Sequence, residues 1–485
     1  MQKKISLLYK NGLAGAIEKS AEQAIYNLNI DRIVALACDN KRQREYFLSV
    51  LCRDSASAEN ARYRAETLRD LLKNPSLLTD LVQLFRGYDN LMAETDEVLK
   101  EIFRYGMPTS QGGMLDCTYE ELYVNAHFAR NVIAYFSEIC ELFESCEVTG
   151  EALSEMKSFC ASMKESKCIT ELEKAAENFR SENLENYRFS IETHLDEAMR
   201  ACACSISEIT DANVKKKKSI FSVFKKKTDP SVDIGSSASD NCEAALTQAM
   251  SELSGIFSDL ASGIYEVFKG MSEELMFFSV ATRLVALMKS KGMYCCFPTV
   301  TERECDELSA DGIWDMLLLS EGKDSESIVT NSVSLTKSII ARGDNNCGKT
   351  SFLRAVGSSL IFAQNGLPVP AKKMVCSVRG AIFTHFSSAE KDFVIGDAAG
   401  RFEGEVQDMA AIMDEIRPYS LVLLNETFQT TAYREGAEGM KEILDVLPKI
   451  NCKYIFVSHM KALFSLFTED EVSILTAKGF VLSHE

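Results

Sequence analysis

Residues 338–354, SIIARGDNNCGKTSFLR, carry a short apolar strand into Gly343-Asp-Asn-Asn-Cys-Gly348-Lys349-Thr350 and then into a helix-forming stretch. The spacing of glycines, lysine and hydroxyl is that of a phosphate-binding loop, and the strand before it and Phe352-Leu353-Arg354 after it supply the expected context. Glycines let the backbone curl and aim successive N–H groups at phosphate oxygens, above a helix N-terminus that favours anions. A plain glycine-rich surface turn is the alternative. The pattern assigns Gly343, Asn345, Asn346, Cys347, Gly348, Lys349, Thr350 and Ser351 to ATP. Lys349 would reach the β- and γ-phosphates, and the Thr350 hydroxyl would bind Mg2+.

At 485 residues the chain is long enough for two to four domains. Its 46% hydrophobic and 26% charged content is that of a globular protein, and no apolar run is long enough to cross a bilayer. Lys10 and Glu18 break up any secretory apolar core, so no membrane insertion and a cytoplasmic location are expected. Sixteen cysteines are spread along the chain with no Cys-x-x-Cys and five histidines, which suits free thiols better than zinc or disulfides. A net charge of −18 repels nucleic acid at long range, so any DNA binding must rest on a local basic patch.

The pattern predicts a mostly α N-terminal core and lever with a long helical arm, followed by an α/β P-loop domain. Boundaries are expected at a helical core over 1–116, an arm over 117–292 and a nucleotide-binding domain over 293–485. Helical sequence is read from about Thr118 to about Ala212. Leu246, Met250, Leu253, Phe257, Leu260, Ile264, Val267 and Met271 form a heptad seam, predicting one helix over 241–291 packed lengthwise, antiparallel, on the helical stretch before it. Between them lies KKKKSIFSVFKKK, part of a basic loop over 213–240 expected to be mobile. Its Lys215, Lys216, Lys217, Lys218, Lys225, Lys226 and Lys227 alternate with Phe221 and Phe224, a pattern open to nucleic acid, an anionic membrane surface or a solvated linker.

Hydrolysis needs a residue that orients or deprotonates water, at the end of a strand beside the loop strand. Ser420 to Leu424 reads as a buried strand ending in Asn425-Glu426, making Glu426 the candidate base. Asn425 stands where an acid would help hold Mg2+, so Thr350, Asn425 and Glu426 form the candidate metal set. Strand Tyr454 to Val457 ends in Ser458-His459, and the imidazole is placed to contact the γ-phosphate.

From Ile340 to about Leu466 the chain resembles the C-terminal ATPase of MutS-type DNA mismatch repair proteins, of the ABC ATPase superfamily. The resemblance rests on ARGDNNCGKTSFLR, Asn365-Gly-Leu-Pro-Val-Pro-Ala371, Ile382-Phe-Thr-His385, Ser420-Leu-Val-Leu-Leu-Asn-Glu426 and Phe456-Val-Ser-His-Met460, in family order. Upstream, Leu275–Val300 is similar to the end of the family's lever helix and Asn60–Leu78 to its helical core. It implies DNA binding through the helical arm, raising DNA to first place for the lysine loop, and pairing of ATPase domains in a homodimer or heterodimer. It also implies that the mismatch-reading and connector domains and the C-terminal dimerisation segment are missing from this chain. The signature Ser-Thr-Phe becomes Gly400-Arg401-Phe402, and Asn425 replaces an acid. Two functions are therefore expected: a DNA-dependent ATPase that clamps DNA without reading mismatches, or a nucleotide-gated interaction module with negligible turnover.

Overall fold

The computed structural model describes residues 4–12, 14–53, 57–105, 111–180, 187–195, 201–211, 236–322, 325–387, 398–428 and 433–484. The chain divides into two compact units. One comprises Ser6–Leu78, Val148–Ser154 and Glu273–Glu485; the other comprises Met1–Ile5, Thr79–Glu147 and Glu155–Ser272. The N-terminal part is helical and the C-terminal part is a mixed α/β sheet domain. Among the described residues no helix is long and apolar enough to cross a membrane.

A six-stranded sheet dominates the first unit, in the order Val481–His484, Ser473–Lys478, Ile339–Arg342, Lys453–Val457, Leu421–Asn425 and Ile382–Phe386. All neighbours are parallel except the Val481–His484 edge. Parallel strands are covered on both faces, so their sequences are apolar runs rather than alternations. Thus Leu421, Val422, Leu423 and Leu424 are all fully buried. Val422, Leu424, Phe456 and Ile340 share one core with Ala437, Met440 and Leu444 of the helix Tyr433–Val446. Pairing sets Ala341, Val457, Asn425 and Phe386 in one row, so the loops following those four strands open on the same edge. A second sheet orders Thr299–Thr301, Lys373–Ser377, Leu308–Ile313 and Asn331–Ser334.

The helices Lys19–Asn27, Ile30–Ala35, Lys41–Leu51 and Ala58–Lys73 belong to this same unit. Asn40 and Ser57 cap the last two, each accepting from the backbone N–H three residues on. Arg64, 1% exposed, donates Nε to Leu8 O at 2.8 Å and Nη1 to Asn365 Oδ1 at 2.7 Å, and lies over the Tyr9 ring. Gly366 follows with φ +73, and a Cβ there would meet Ala61 O at 2.5 Å. Only glycine fits a left-handed corner pressed this closely on a helix backbone.

In the second unit, the helices Gln111–Ser145 and Ser236–Phe268 pack along one another, and Pro75–Tyr105 meets both through ring contacts. Phe85 meets Phe268 and Tyr88 stacks on Tyr265, so the first and third run antiparallel. Asn125 meets Ser254 and Phe136 meets Phe268, so the second and third run parallel. The upstream helix Gln111–Ser145 is therefore a parallel partner rather than the expected antiparallel one. The long helix also breaks: Ser236–Phe268 ends, Gly270 turns with φ +81, and Met271–Ser290 begins. Among its described side chains Met250, Ser254, Phe257, Ala261, Ile264, Tyr265, Val267 and Phe268 are buried, so four of the expected seam residues (Met250, Phe257, Ile264 and Val267) are inside while Leu260 is 36% exposed. Ser254 takes the buried position beside Leu253, and Asn125 Nδ2 donates to its hydroxyl at 2.9 Å, while Asn125 Oδ1 stays buried without a hydrogen-bond partner.

Two further stretches differ from expectation. Tyr187–Leu195 and Ala201–Asp211 form an antiparallel hairpin where helix was read. Tyr187, Phe189, Ile191 and Thr193 carry the period-2 signal. Residues 236–240, read as part of the mobile loop, are the first turns of Ser236–Phe268. The seven candidate lysines of the basic loop lie outside the described residues.

Candidate functional site

The loop begins where Ile339–Arg342 ends and closes into the helix Lys349–Gln364. Three residues take positive φ: Gly343 at 150°, Asn346 at 60° and Gly348 at 85°. Asparagine tolerates the left-handed region better than other side chains, and a Cβ at Gly348 would lie 3.0 Å from Phe480 Cδ1. Lys349 is 5% exposed, with Nζ donating to Gly343 O at 2.9 Å and Asp344 O at 2.7 Å. The Cys347 thiol donates to Asp344 O at 2.8 Å and lies 3.8 Å from the lysine nitrogen. Asn345 and Asn346 are exposed, and Ser351 lines an adjoining cavity.

Strand register brings the other candidates to this loop. Thr350 Oγ1 donates to Asn425 Oδ1 at 3.1 Å. Glu426 leaves its strand in a left-handed conformation, φ 57°, with its N–H donating to Val457 O at 2.9 Å. Phe428 is also left-handed, at φ 63°. Two such non-glycine residues in three positions cost about 1 kcal/mol or more each and must be held by surrounding contacts. The turn aims Glu426 Oε1 at His459 Nε2, 2.7 Å away, while Oε2 is buried without a hydrogen-bond partner.

His459 Nδ1 lies 3.1 Å from Gly343 O, which accepts only, and 3.5 Å from Lys349 Nζ, which donates only. Burial, then the neighbouring Lys349 charge, push the His459 pKa below its usual value, favouring neutral imidazole. An imidazole protonated on Nδ1 would leave Nε2 to accept from a protonated Glu426 carboxyl across their 2.7 Å contact. Consistent with this, burial pushes the Glu426 pKa up to about 7, against the opposing pull of Lys349.

Two cavities flank the loop. One, of about 350 Å³, is lined by Ile313, Trp314, Val329, Phe352 and Ala355 and edged by Ser351 and Phe480. Its lining is mostly apolar, with Asp315, Ser327 and Asn331 as further polar members. The other, of about 780 Å³, opens between Arg342, Asp344, His459, Lys461 and Lys478. Thr350, Asn425 and the unpartnered Glu426 Oε2 are oxygen donors of the kind Mg2+ takes, so the residues fit that ion.

Sequence reading missed three residues that the structure places beside the site. Phe480 sits over Gly348. His385 Nδ1 lies 2.9 Å from Thr427 Oγ1. Glu405, from the helix Ala398–Glu415, accepts from Ser387 Oγ and Phe428 N. The same helix carries Gly400-Arg401-Phe402 in its first turn, and the side chains of the latter two are outside the described residues.

Residues 339–478 match the family profile of MutS domain V. The chain is 26% identical over 235 residues to the DNA mismatch repair protein msh3 of Botryotinia fuckeliana, a match covering 47% of this chain and 19% of that protein. It is 32% identical over 128 residues to the DNA mismatch repair protein MutS of Thermotoga petrophila, covering 26% and 16%. It is 34% identical over 125 residues to the DNA mismatch repair protein MSH3 of Pyricularia oryzae, covering 26% and 11%. The chain thus spans less than a fifth of the length of each of these relatives.

Proposed function

We propose that this chain, a MutS-like member of the mismatch repair family, is an ABC-type P-loop ATPase that couples ATP binding and hydrolysis to the clamping of DNA. One observation carries the catalytic part: Lys349, Glu426 and His459 converge on the open edge of the sheet, with Glu426 Oε1 2.7 Å from His459 Nε2. In this reading the loop amides and Lys349 hold the triphosphate. Glu426, once ionised, takes a proton from water, and His459 passes the state of the γ-phosphate end to Gly343 through its Nδ1–H. Thr350 and Asn425 would hold Mg2+, which when bound spreads charge on the phosphates. The apolar cavity beside Phe480 would take the base.

DNA contact through the helical unit and the lysines of 215–227, pairing of two ATPase domains in a homodimer or heterodimer, and a cytoplasmic location complete the proposal. The similarity to MutS and MSH3 mismatch repair proteins supports a role in DNA mismatch repair. The second reading, a nucleotide-gated module with negligible turnover, is favoured by Asn425, a neutral amide already engaged by Thr350.

Lys349→Ala should weaken ATP binding about 10- to 100-fold, the loss of one or two charge-assisted hydrogen bonds, measured by calorimetry. Unchanged affinity would remove the phosphate loop from the proposal. Phe480→Ala should weaken ATP about 5- to 10-fold through lost ring stacking while leaving inorganic tripolyphosphate unaffected. Equal losses for both ligands would show that the ring supports the loop rather than a base. For the assembly, light scattering should show an ATP-dependent shift from monomer to dimer, strengthened by branched or mismatched duplex. A monomer under every condition would argue against the clamp.

A further inference from the structure

We infer that Glu405 is a positioning residue, whose buried carboxylate holds the left-handed turn that presents Glu426 and ties that turn to the end of the neighbouring strand. This rests on the reading of Glu426 as the base. Glu405 is 3% exposed and spends both oxygens on the turn's surroundings: Oε2 accepts from Phe428 N at 2.7 Å and Oε1 from Ser387 Oγ at 2.6 Å. Ser387 N in turn donates to Asn425 O at 3.0 Å. A closed circuit therefore runs from Asn425, through Ser387 and Glu405, to Phe428, with Glu426 and Thr427 enclosed in it. Both left-handed residues, Glu426 and Phe428, lie within this circuit. A backbone so placed relaxes when its tether is cut, and the Glu426 carboxyl then swings away from His459. The tether springs from Ala398–Glu415, the helix that opens with Gly400 and Arg401. Movement of that helix would consequently be felt at Glu426 first.

The chemistry of the circuit separates positioning from bulk. Glutamine at 405 keeps an acceptor for Phe428 N and offers its amide to the Ser387 hydroxyl, which accepts as well as donates. Alanine keeps neither. Glu405→Ala should lower kcat at least 30-fold with KM for ATP within about threefold, and should shift the pH at which the rate rises. Glu405→Gln should restore kcat to within about threefold of wild type. Ser387→Ala, which cuts one strand of the circuit and spares the fold if Glu405→Ala does not, should lower kcat about threefold to tenfold. Hydrogen exchange gives a readout independent of turnover: the Phe428 amide should lose protection in Glu405→Ala and keep it in Glu405→Gln and Glu426→Gln. Retained Phe428 protection in Glu405→Ala overturns the inference, as does an unchanged kcat and pH profile in an enzyme that Glu426→Gln disables. If Glu426→Gln leaves the rate untouched, it is the base assignment that fails, and exchange at Phe428 still decides whether Glu405 holds the turn.

Discussion

Glu426→Gln should lower the steady-state rate of phosphate release by about 10² to 10⁴, the contribution of a positioned general base, while ATP affinity stays within a few-fold. The amide keeps the shape of the side chain and its approach to His459 but cannot take a proton from water. For wild type, the base form is the ionised one and burial places its pKa at about 7. The rate under kcat/KM conditions should accordingly climb with pH through 7 and flatten above it. The same group affects stability with a definite sign. Its folded pKa of about 7 lies above the ordinary carboxylate value of 4.5. The folded state thus keeps a proton that the unfolded chain has released between those values. Its stabilising effect is whole below pH 4.5 and is lost as pH rises through 7. The difference is at most about 3 kcal/mol. Glu426→Gln should flatten this part of the stability profile and make the protein more resistant to urea at pH 8. Equal phosphate-release rates for wild type and Glu426→Gln, with and without DNA, would sink the hydrolytic reading and leave the nucleotide-gated module.

Arg64→Ala should cost about 3–5 kcal/mol of folding stability. The side chain is 1% exposed, and removing it strands two buried acceptors, Leu8 O and Asn365 Oδ1, besides leaving a cavity beside Tyr9. These contacts join the N-terminal segment, the helix Ala58–Lys73 and the corner at Asn365-Gly366 within one unit. Arg64→Lys should recover only part of the loss, since one ammonium cannot reproduce a planar fork aimed at two acceptors. Trp314 is the single tryptophan and lies buried in this unit, so its fluorescence reports the transition directly. A urea midpoint in Arg64→Ala equal to that of wild type would contradict the bridging role.

The sheet domain was legible because its strands are fully buried and its loop has a spacing that few other structures require. Leu421–Asn425 and Lys453–Val457 announce themselves as apolar runs, and the residues after them follow from strand register. The helical unit was less legible. A heptad seam is fixed by which side chains can be buried, and Ser254 became eligible only through Asn125, more than a hundred positions away. Glu405 carried no sequence signal at all. Glu403 and Asp408 stand near it in the same helix, and only the fold separates a buried acceptor from exposed neighbours.

The contacts of Lys349 have a kinetic meaning. Its ammonium already donates to the carbonyls of Gly343 and Asp344. A triphosphate arriving at the loop must take the cation away from those two oxygens, which makes entry a ligand exchange around one nitrogen and not a capture by free charge. Nucleotide capture then depends on how readily the 343–344 peptides turn aside, and on a chain of net charge −18 added salt should also quicken it by screening the long-range repulsion of the anion.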